Sequence, residues 1–478
     1  MPELKLPVGS STGRDSAVNR TRLVNAYVEV EGNDAKAPYV LYAAPGLTRW
    51  DDAVFAGAWR GAIELDDFTL ITVLGNEIVS SSASGATTKI ASIIGSDRVI
   101  MTKNRANPVQ IVIVTGSQAY NLEGGGIALI DDADLPPVNS ADYLRGRVLY
   151  GIDDGRVFCS ASEDVTSVNA LSFDVANASA DGLVRVKEHA GYAYFLGRKS
   201  TEIWAADPSL AGQPFPFSPV QQNIAIGLGA KHSLVEGSRG MIWVDDKNIV
   251  RYGRDVGAQP LSNKSVERAI ESLSAADRAN IVGMTYVHQG HEIYTLKSTA
   301  WTWEFDFHAA STFGVDRAWR ERESYGLNRW QVNGAIRFGG QEIAGREDDG
   351  ALFEISSDAY DEDGDALIVE LWLPYSHRFP RSALIDQLKL DAITGVGLQS
   401  GGLDVTNPVV MIDYSDNGGK TFEGEESFPL GGIGEWNTEI ETYQWGLMES
   451  RGRIWRIRAS AAVLRGFISA WIEARPAA

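Results

Sequence analysis

Cysteine is nearly missing from this chain: Cys159 is the single one in 478 residues. That excludes an internal disulfide and a cysteine-based zinc site. No apolar run approaches the length of a membrane-spanning helix, so no membrane anchor is expected. The opening Met1-Pro2-Glu3-Leu4-Lys5-Leu6-Pro7 lacks the basic-then-apolar pattern of a secretion signal, which predicts synthesis in a cytoplasm. A basic excess is missing too. With 43 basic against 63 acidic residues the formal charge is −20, and no basic stripe marks a surface that grips nucleic acid phosphates. An acidic balance of this kind favours solubility.

Catalytic signatures are equally sparse. There is no Gly-x-Ser-x-Gly elbow. Gly227-Leu228-Gly229-Ala230-Lys231 carries no Ser or Thr after its lysine and lacks the spacing of a phosphate-binding loop. His288-Gln289-Gly290-His291 lacks the His-Glu-x-x-His arrangement and crosses a glycine at the start of a strand, so its rings need not converge on a metal. Asp361-Glu362-Asp363-Gly364-Asp365 resembles a calcium loop, but its glycine is fourth and position twelve is Trp372. A solvated turn is the expectation there. Neither a cofactor, a metal nor a catalytic residue is expected, and the chain reads as a non-enzyme. Two other classes fit the composition: a glycan-cleaving propeller enzyme, and a monomeric propeller that binds carbohydrate or protein.

What the chain has in quantity is glycine (49) and tryptophan (13), with 44% apolar residues. Short alternating runs separated by glycine turns point to an all-β protein. Hairpin turns fall near Gly75, Gly116, Asp153, Arg198, Asp246, Ser298 and Gly340. Their spacing matches the propeller-blade repeat of roughly 40–50 residues. Tyr192–Leu196 returning as Ser200–Trp204, and His291–Leu296 returning as Ala300–Phe305, illustrate the unit. Several returning strands carry an aromatic residue suited to the wedge between blades. One helix interrupts the pattern, with Val266, Ala269, Ile270 and Leu273 on one face and a cap at Ser262 or Asn263.

The expected architecture is a β-propeller of six to seven blades plus a β-rich platform built from the C-terminal part and the N-terminal strands. Its divisions are an irregular arm and strands over 1–48, the repeat region over 49–360, and a C-terminal β domain over 361–478. Within the last, Ser415-Asp416-Asn417-Gly418-Gly419-Lys420-Thr421-Phe422 fits the Asp-box hairpin with Asn417 in place of Asp. Gly418 and Gly419 supply the positive φ a tight turn requires.

Scattered segments run in the order of a known family. They include Asn25-x-Tyr27-x-Glu29, Pro45-Gly46-Leu47, Thr201-Glu202-Ile203-Trp204 and Gln289-Gly290-His291 followed by Tyr294. Trp301-x-Trp303 with Asp306, Trp319-x-Glu321-Arg322, Asn328-Arg329-Trp330, Asp361-x-Asp363-Gly364 and the Ser415–Phe422 turn with Gly434-Glu435-Trp436 continue the series. In these the chain resembles the packaged-DNA stabilisation proteins of short-tailed bacteriophages, which form the tail hub or nozzle. Residues 50–180 match poorly, and Glu439 stands where the family usually has arginine.

The resemblance implies a structural virion protein, made in the bacterial host cytoplasm and located in the tail. It implies a homo-oligomeric ring, typically a hexamer, below the portal and adaptor. It also implies a tail needle or plug and fibres or spikes as partners, with double-stranded DNA passing without sequence-specific binding. Under that reading Arg453, Arg456 and Arg458 are expected to pair with acids of neighbouring subunits, and Asn417, Gly418 and Gly419 to serve assembly. Residues 342–370 hold 11 acids and one basic residue, Arg346, and Glu347, Asp348 and Asp349 are expected to face the DNA lumen.

Overall fold

Short apolar runs between tight turns fold into four-stranded antiparallel sheets, and they do so seven times around one axis. The computed structural model describes residues 3–32, 34–66, 68–176, 181–220, 224–253 and 257–477. Blades 1 to 6 span residues 59–92, 99–129, 140–175, 183–219, 235–260 and 282–321. Blade 7 takes three strands from residues 332–356 and its outermost strand, Gly46–Arg49, from the chain's beginning. The expected division at 48 puts residues 46–48 with the N-terminal strands. Pairing decides otherwise, since Leu47 lies opposite Ile355 and Thr48 opposite Glu354.

Between each blade and the next lies an apolar cluster, which closes the ring. Leu144 and Leu149 of blade 3 meet Phe195 and Trp204 of blade 4. Trp59 and Leu70 of blade 1 meet Phe338 and Ile343 of blade 7. Middle strands are therefore covered on both faces, and they read as continuous rather than alternating apolar runs. In Gln110–Thr115, Ile111, Val112, Ile113 and Val114 are all buried. At the axis the inner strands crowd one another. A Cβ on Gly334 would lie 2.2 Å from Trp59 Nε1, and one on Gly283 would lie 2.3 Å from the Ser233 carbonyl oxygen, so only glycine fits.

Six of the seven turns read from the sequence join the second and third strands of their blades. Gly340 does not: it joins the first and second strands of blade 7, Val332–Phe338 and Gln341–Arg346. The equivalent turn there is the acidic segment 347–351. The helix forms as expected over Lys264–Glu271, capped by Asn263, whose side chain accepts from Ser265 N and Val266 N. Val266 and Ile270 bury it against blades 5 and 6.

The remaining strands form two sheets packed face to face. One contains Ala26–Val30, Tyr39–Ala43, Gly466–Pro476, Ala383–Ala392 and Ile440–Met448. The other contains Arg20–Val24, Val369–Trp372, Ile454–Ala459, Val409–Ser415 and Glu423–Pro429. Leu23, Val28, Leu388, Ile412, Trp455 and Ile472 belong to the core between them. The arm expected to be irregular is built into this platform. Glu3–Leu4 pairs with Trp471 and Ala470, and Leu4 and Leu6 are buried. Blade 6 runs directly into the second platform sheet through a parallel bridge between Val24 and Glu321.

Candidate functional site

Where blade 6 meets the platform, polar side chains are buried in unusual number. Asn25 adopts φ +53, a conformation asparagine tolerates better than most residues. Its Nδ2 donates to the carbonyls of Glu323 (2.9 Å) and Ile368 (2.8 Å), and its Oδ1 accepts from Glu323 N (3.0 Å). Arg22 grips Glu321 through two nitrogens and reaches Glu323 at 2.6 Å and Glu370 at 3.2 Å. Burial opposes the Arg22 charge, but the three carboxylates outweigh it and raise its pKa.

Deeper in blade 6, Arg320 pairs with Glu304 at 2.9 Å and Asp306 at 3.3 Å. Tyr286 donates to Glu304 at 2.8 Å. Asp306 also holds His291 Nδ1 at 2.8 Å, while His291 Nε2 lies 3.1 Å from Glu29. Burial raises the Asp306 pKa, and His291 and Arg320 more than offset it, so its carboxyl titrates below the usual range. On the blade 7 side, Glu362 is 1% exposed and collects Arg322 (3.2 Å), Trp330 Nε1 (2.8 Å) and Ser324 Oγ (2.6 Å). Arg322 itself donates to the Pro45 carbonyl at 2.6 Å. The tip of the turn, Asp363-Gly364-Asp365, is exposed as expected, while Glu362 beside it is a buried anchor. Asp361–Glu362 and Asp365–Ala366 form a two-strand hairpin, and Asp363 pairs with Arg49. Arg322, Ser324 and Trp330 stand 32–40 residues earlier in the chain, so spacing alone could not join them to Glu362.

Glu29, His291 and His308 offer three donor atoms within 4.8 Å of one another. Asp306 behind His291 is placed as the carboxylate that commonly orients a metal-bound imidazole. As folded, His291 commits both ring nitrogens to Asp306 and Glu29.

The expected interface residues are engaged inside their own chain. Arg453 is 1% exposed, holds Asp416 through two nitrogens at 2.7 and 2.8 Å, and lies 3.5 Å over the Tyr414 ring. Arg456 pairs with Asp413, and Arg458 with Asp413 and Glu425. All three meet acids of their own chain, because Asp413 and Asp416 come from the adjacent strand and its turn. Asn417 performs the Asp-box role, accepting from Lys420 N and Thr421 N at 3.0 Å. Gly418 and Gly419, at φ +79 and +74, are covered by Tyr375, Ser16 and Trp372 of the same chain rather than offered to a partner.

The acidic run is likewise matched by bases from elsewhere. Glu347 lies between Lys297 (2.7 Å) and Arg329 (2.5 Å), and Asp349 is 4.0 Å from Arg346. Asp348 is exposed and has no ion pair among the described residues. Exposed apolar side chains gather instead on two neighbouring platform loops. Leu403 is 85% exposed, Trp436 76% and Ile433 66%. Exposed apolar side chains of this size form a surface open to contact. Nothing in the local sequence distinguishes it from buried apolar residues.

Among solved structures, the WD40 β-propeller domain of Doa1 is similar at 10% identity, with 66% of this chain and 97% of that chain covered and a TM-score of 0.40. A computationally designed protein, Ika8, is 11% identical over 70% of this chain and 99% of its own, with a TM-score of 0.38. YCF48 bound to D1 peptide gives 11% identity, 69% and 98% coverage and a TM-score of 0.38. No curated protein matches in sequence. The family model for phage stabilisation proteins, described as bacteriophage P22 Gp10, β-propeller, matches residues 4–360. That span takes in all seven blades and the platform strands that precede them, and so the chain belongs to the bacteriophage P22 Gp10 β-propeller family of phage structural proteins.

Proposed function

We propose that the protein is the tail hub, or nozzle, of a short-tailed bacteriophage, closing the DNA-filled head below portal and adaptor and forming the path for DNA ejection. The observation that carries this reading is the family match over residues 4–360. The reading is non-enzymatic: the chain supplies a shaped wall, with a needle or plug and fibres or spikes as its other partners. Six copies surround the duplex, and the path lies between copies. The propeller's own channel opens into a cavity of about 240 Å³, which suits a small molecule and not a double helix. A net charge of −20 keeps such a wall from binding phosphate. The effect reaches about 8 Å at physiological salt, so it requires acids close to the lumen.

The exposed tip of Ile433, Trp436 and Leu403 is the surface this reading assigns to contact with a neighbouring copy. Native mass measurement on isolated tails tests the reading, with six copies expected. Another count overturns the ring of six, and absence of the chain from purified tails overturns the hub.

A further inference from the structure

The propeller channel carries a charge opposite to that of the protein. The 240 Å³ cavity at its axis is lined by Arg98, Arg185 and His232 among the glycine-rich inner strands. Arg98 stands just before the inner strand of blade 2, Arg185 lies in that of blade 4, and His232 precedes blade 5. Lys231 is adjacent, its carbonyl accepting from Arg185 Nη1 at 3.0 Å. Arg98 donates one nitrogen to the Asn333 carbonyl. Arg185 Nε is buried without a hydrogen-bond partner.

None of the four makes an ion pair within 4.0 Å among the described residues. The acids nearby are occupied or distant. Asp142 faces Arg185 but is held by Lys187 at 3.0 Å. Asp153 accepts from Asn139 at 2.6 Å, and it and Asp97 act on Lys231 only at longer range.

These residues are half-buried, and cations drawn out of water without counter-ions are costly unless an anion joins them. The groups already register that cost. Burial, and then the Arg185 charge, pulls Arg98 down to about 10, and burial pulls Arg185 down to about 10. Burial with Arg98, Arg185 and Lys231 also holds His232 well below its ordinary value, which leaves it a neutral ring.

We propose that the cavity binds one small tetrahedral oxyanion of the phosphate class, held by Arg98 and Arg185 with His232 at its edge. The two guanidinium groups belong to different blades, 2 and 4. Their donors suit the tetrahedrally arranged oxygens of phosphate better than one planar carboxylate. The ion neutralises the axis and ties blades 2, 4 and 5 together. Inorganic phosphate and a small phosphomonoester share this chemistry.

The test is equilibrium dialysis of the full chain at constant ionic strength, with inorganic phosphate, ribose 5-phosphate and acetate as probes. Saturable binding of one phosphate per chain is expected, with acetate failing to compete. The Arg98→Gln/Arg185→Gln chain should bind at least tenfold more weakly. Tighter binding of ribose 5-phosphate than of phosphate identifies a phosphomonoester as the natural occupant, and the reverse identifies the free ion. Absence of saturable binding to the unaltered chain overturns the proposal, as does equal binding by the double variant. Should that variant fail to fold, arginine modification by phenylglyoxal in the unaltered chain decides. Phosphate must protect Arg98 and Arg185, and their unprotected modification overturns the proposal.

Discussion

Removing the Glu362 carboxylate would leave the Arg322 guanidinium, itself fully buried, without a counter-ion. Breaking one side of such a pair typically costs about 3–5 kcal/mol. Glu362→Gln should therefore lower the urea midpoint strongly, and Asp363→Asn, at a half-exposed partner of Arg49, should lower it by no more than about 1 kcal/mol. Equal effects would show that Glu362 is not the anchor.

His288 permits a test by pH. Burial, with Arg320 and His291 adding repulsion, pushes it down to about 3 from an ordinary 6.5. The unfolded chain takes up this proton near pH 6.5, whereas the folded chain resists until about pH 3. Stability from His288 is complete above 6.5 and is lost as pH falls toward 3, by on the order of 5 kcal/mol in all. His291 has the opposite sign. Burial lowers its pKa, but the hydrogen bond and charge of Asp306, with the Glu29 hydrogen bond, together outweigh that and raise it. Its contribution is complete below 6.5 and declines as pH rises through the folded value. His288→Asn should flatten the acid limb of a stability–pH curve measured by urea unfolding, and an unchanged limb would assign that limb to other groups.

At the scale of elements, two short segments bear more than their length suggests. Gly46–Arg49 closes the ring by completing blade 7 with a strand from the other end of the chain. Leu47 is 1% exposed between blades 6 and 7. Leu47→Ala should cost about 2–5 kcal/mol. It should also expose blade 7 to limited proteolysis before blades 2 to 4, and uniform cleavage would argue against closure at this strand. In the Asp-box turn, a Cβ on Gly419 would lie 2.5 Å from the Trp372 ring at φ +74. Gly419→Val should therefore cost at least about 1–3 kcal/mol from backbone strain alone. Because Arg20 donates to the Gly418 and Gly419 carbonyls, the damage should spread to the N-terminal strands and be visible as faster amide exchange there.

At the scale of the molecule, the propeller and platform share a hydrogen-bonded sheet, and the ionic seam lies where they join. Relative movement of the two would break Arg22, Asn25 and Glu362 contacts together. If the tip is the contact between copies, Trp436→Ser combined with Ile433→Ser should leave the melting temperature of the isolated chain within about 2 °C, since both side chains are mostly exposed. Incorporation into tails should fall at least tenfold. Normal incorporation would move the contact to another surface.

The repeat was legible from the residues because each blade is local: its strands follow one another through short turns, and turn chemistry and alternation are written within a few positions. The helix cap at Asn263 and the Asn417 hairpin were legible for the same reason. Gly340 is a hairpin turn as read, but it falls one strand earlier in its blade than the other six, because turns within a blade look alike and only the ring's geometry separates them. Blades 1 to 3, where the family resemblance was weak, form as fully as the rest, since packing needs apolar pattern rather than particular motifs. Charge pairing was not legible. Arg453, Arg456 and Arg458 lie close together in the chain, yet their partners come from strand neighbours about 33–45 residues away. The eleven acids of 342–370 looked like one charged face, but Arg22, Arg49, Lys297, Arg322 and Arg329 come from elsewhere in the chain to meet four of them, Glu347, Glu362, Asp363 and Glu370. Alternation and turns act over a few residues and are settled by the sequence itself. Ion pairs and the axial cavity act across space, and only the closure of seven blades onto a platform decided which charges would meet.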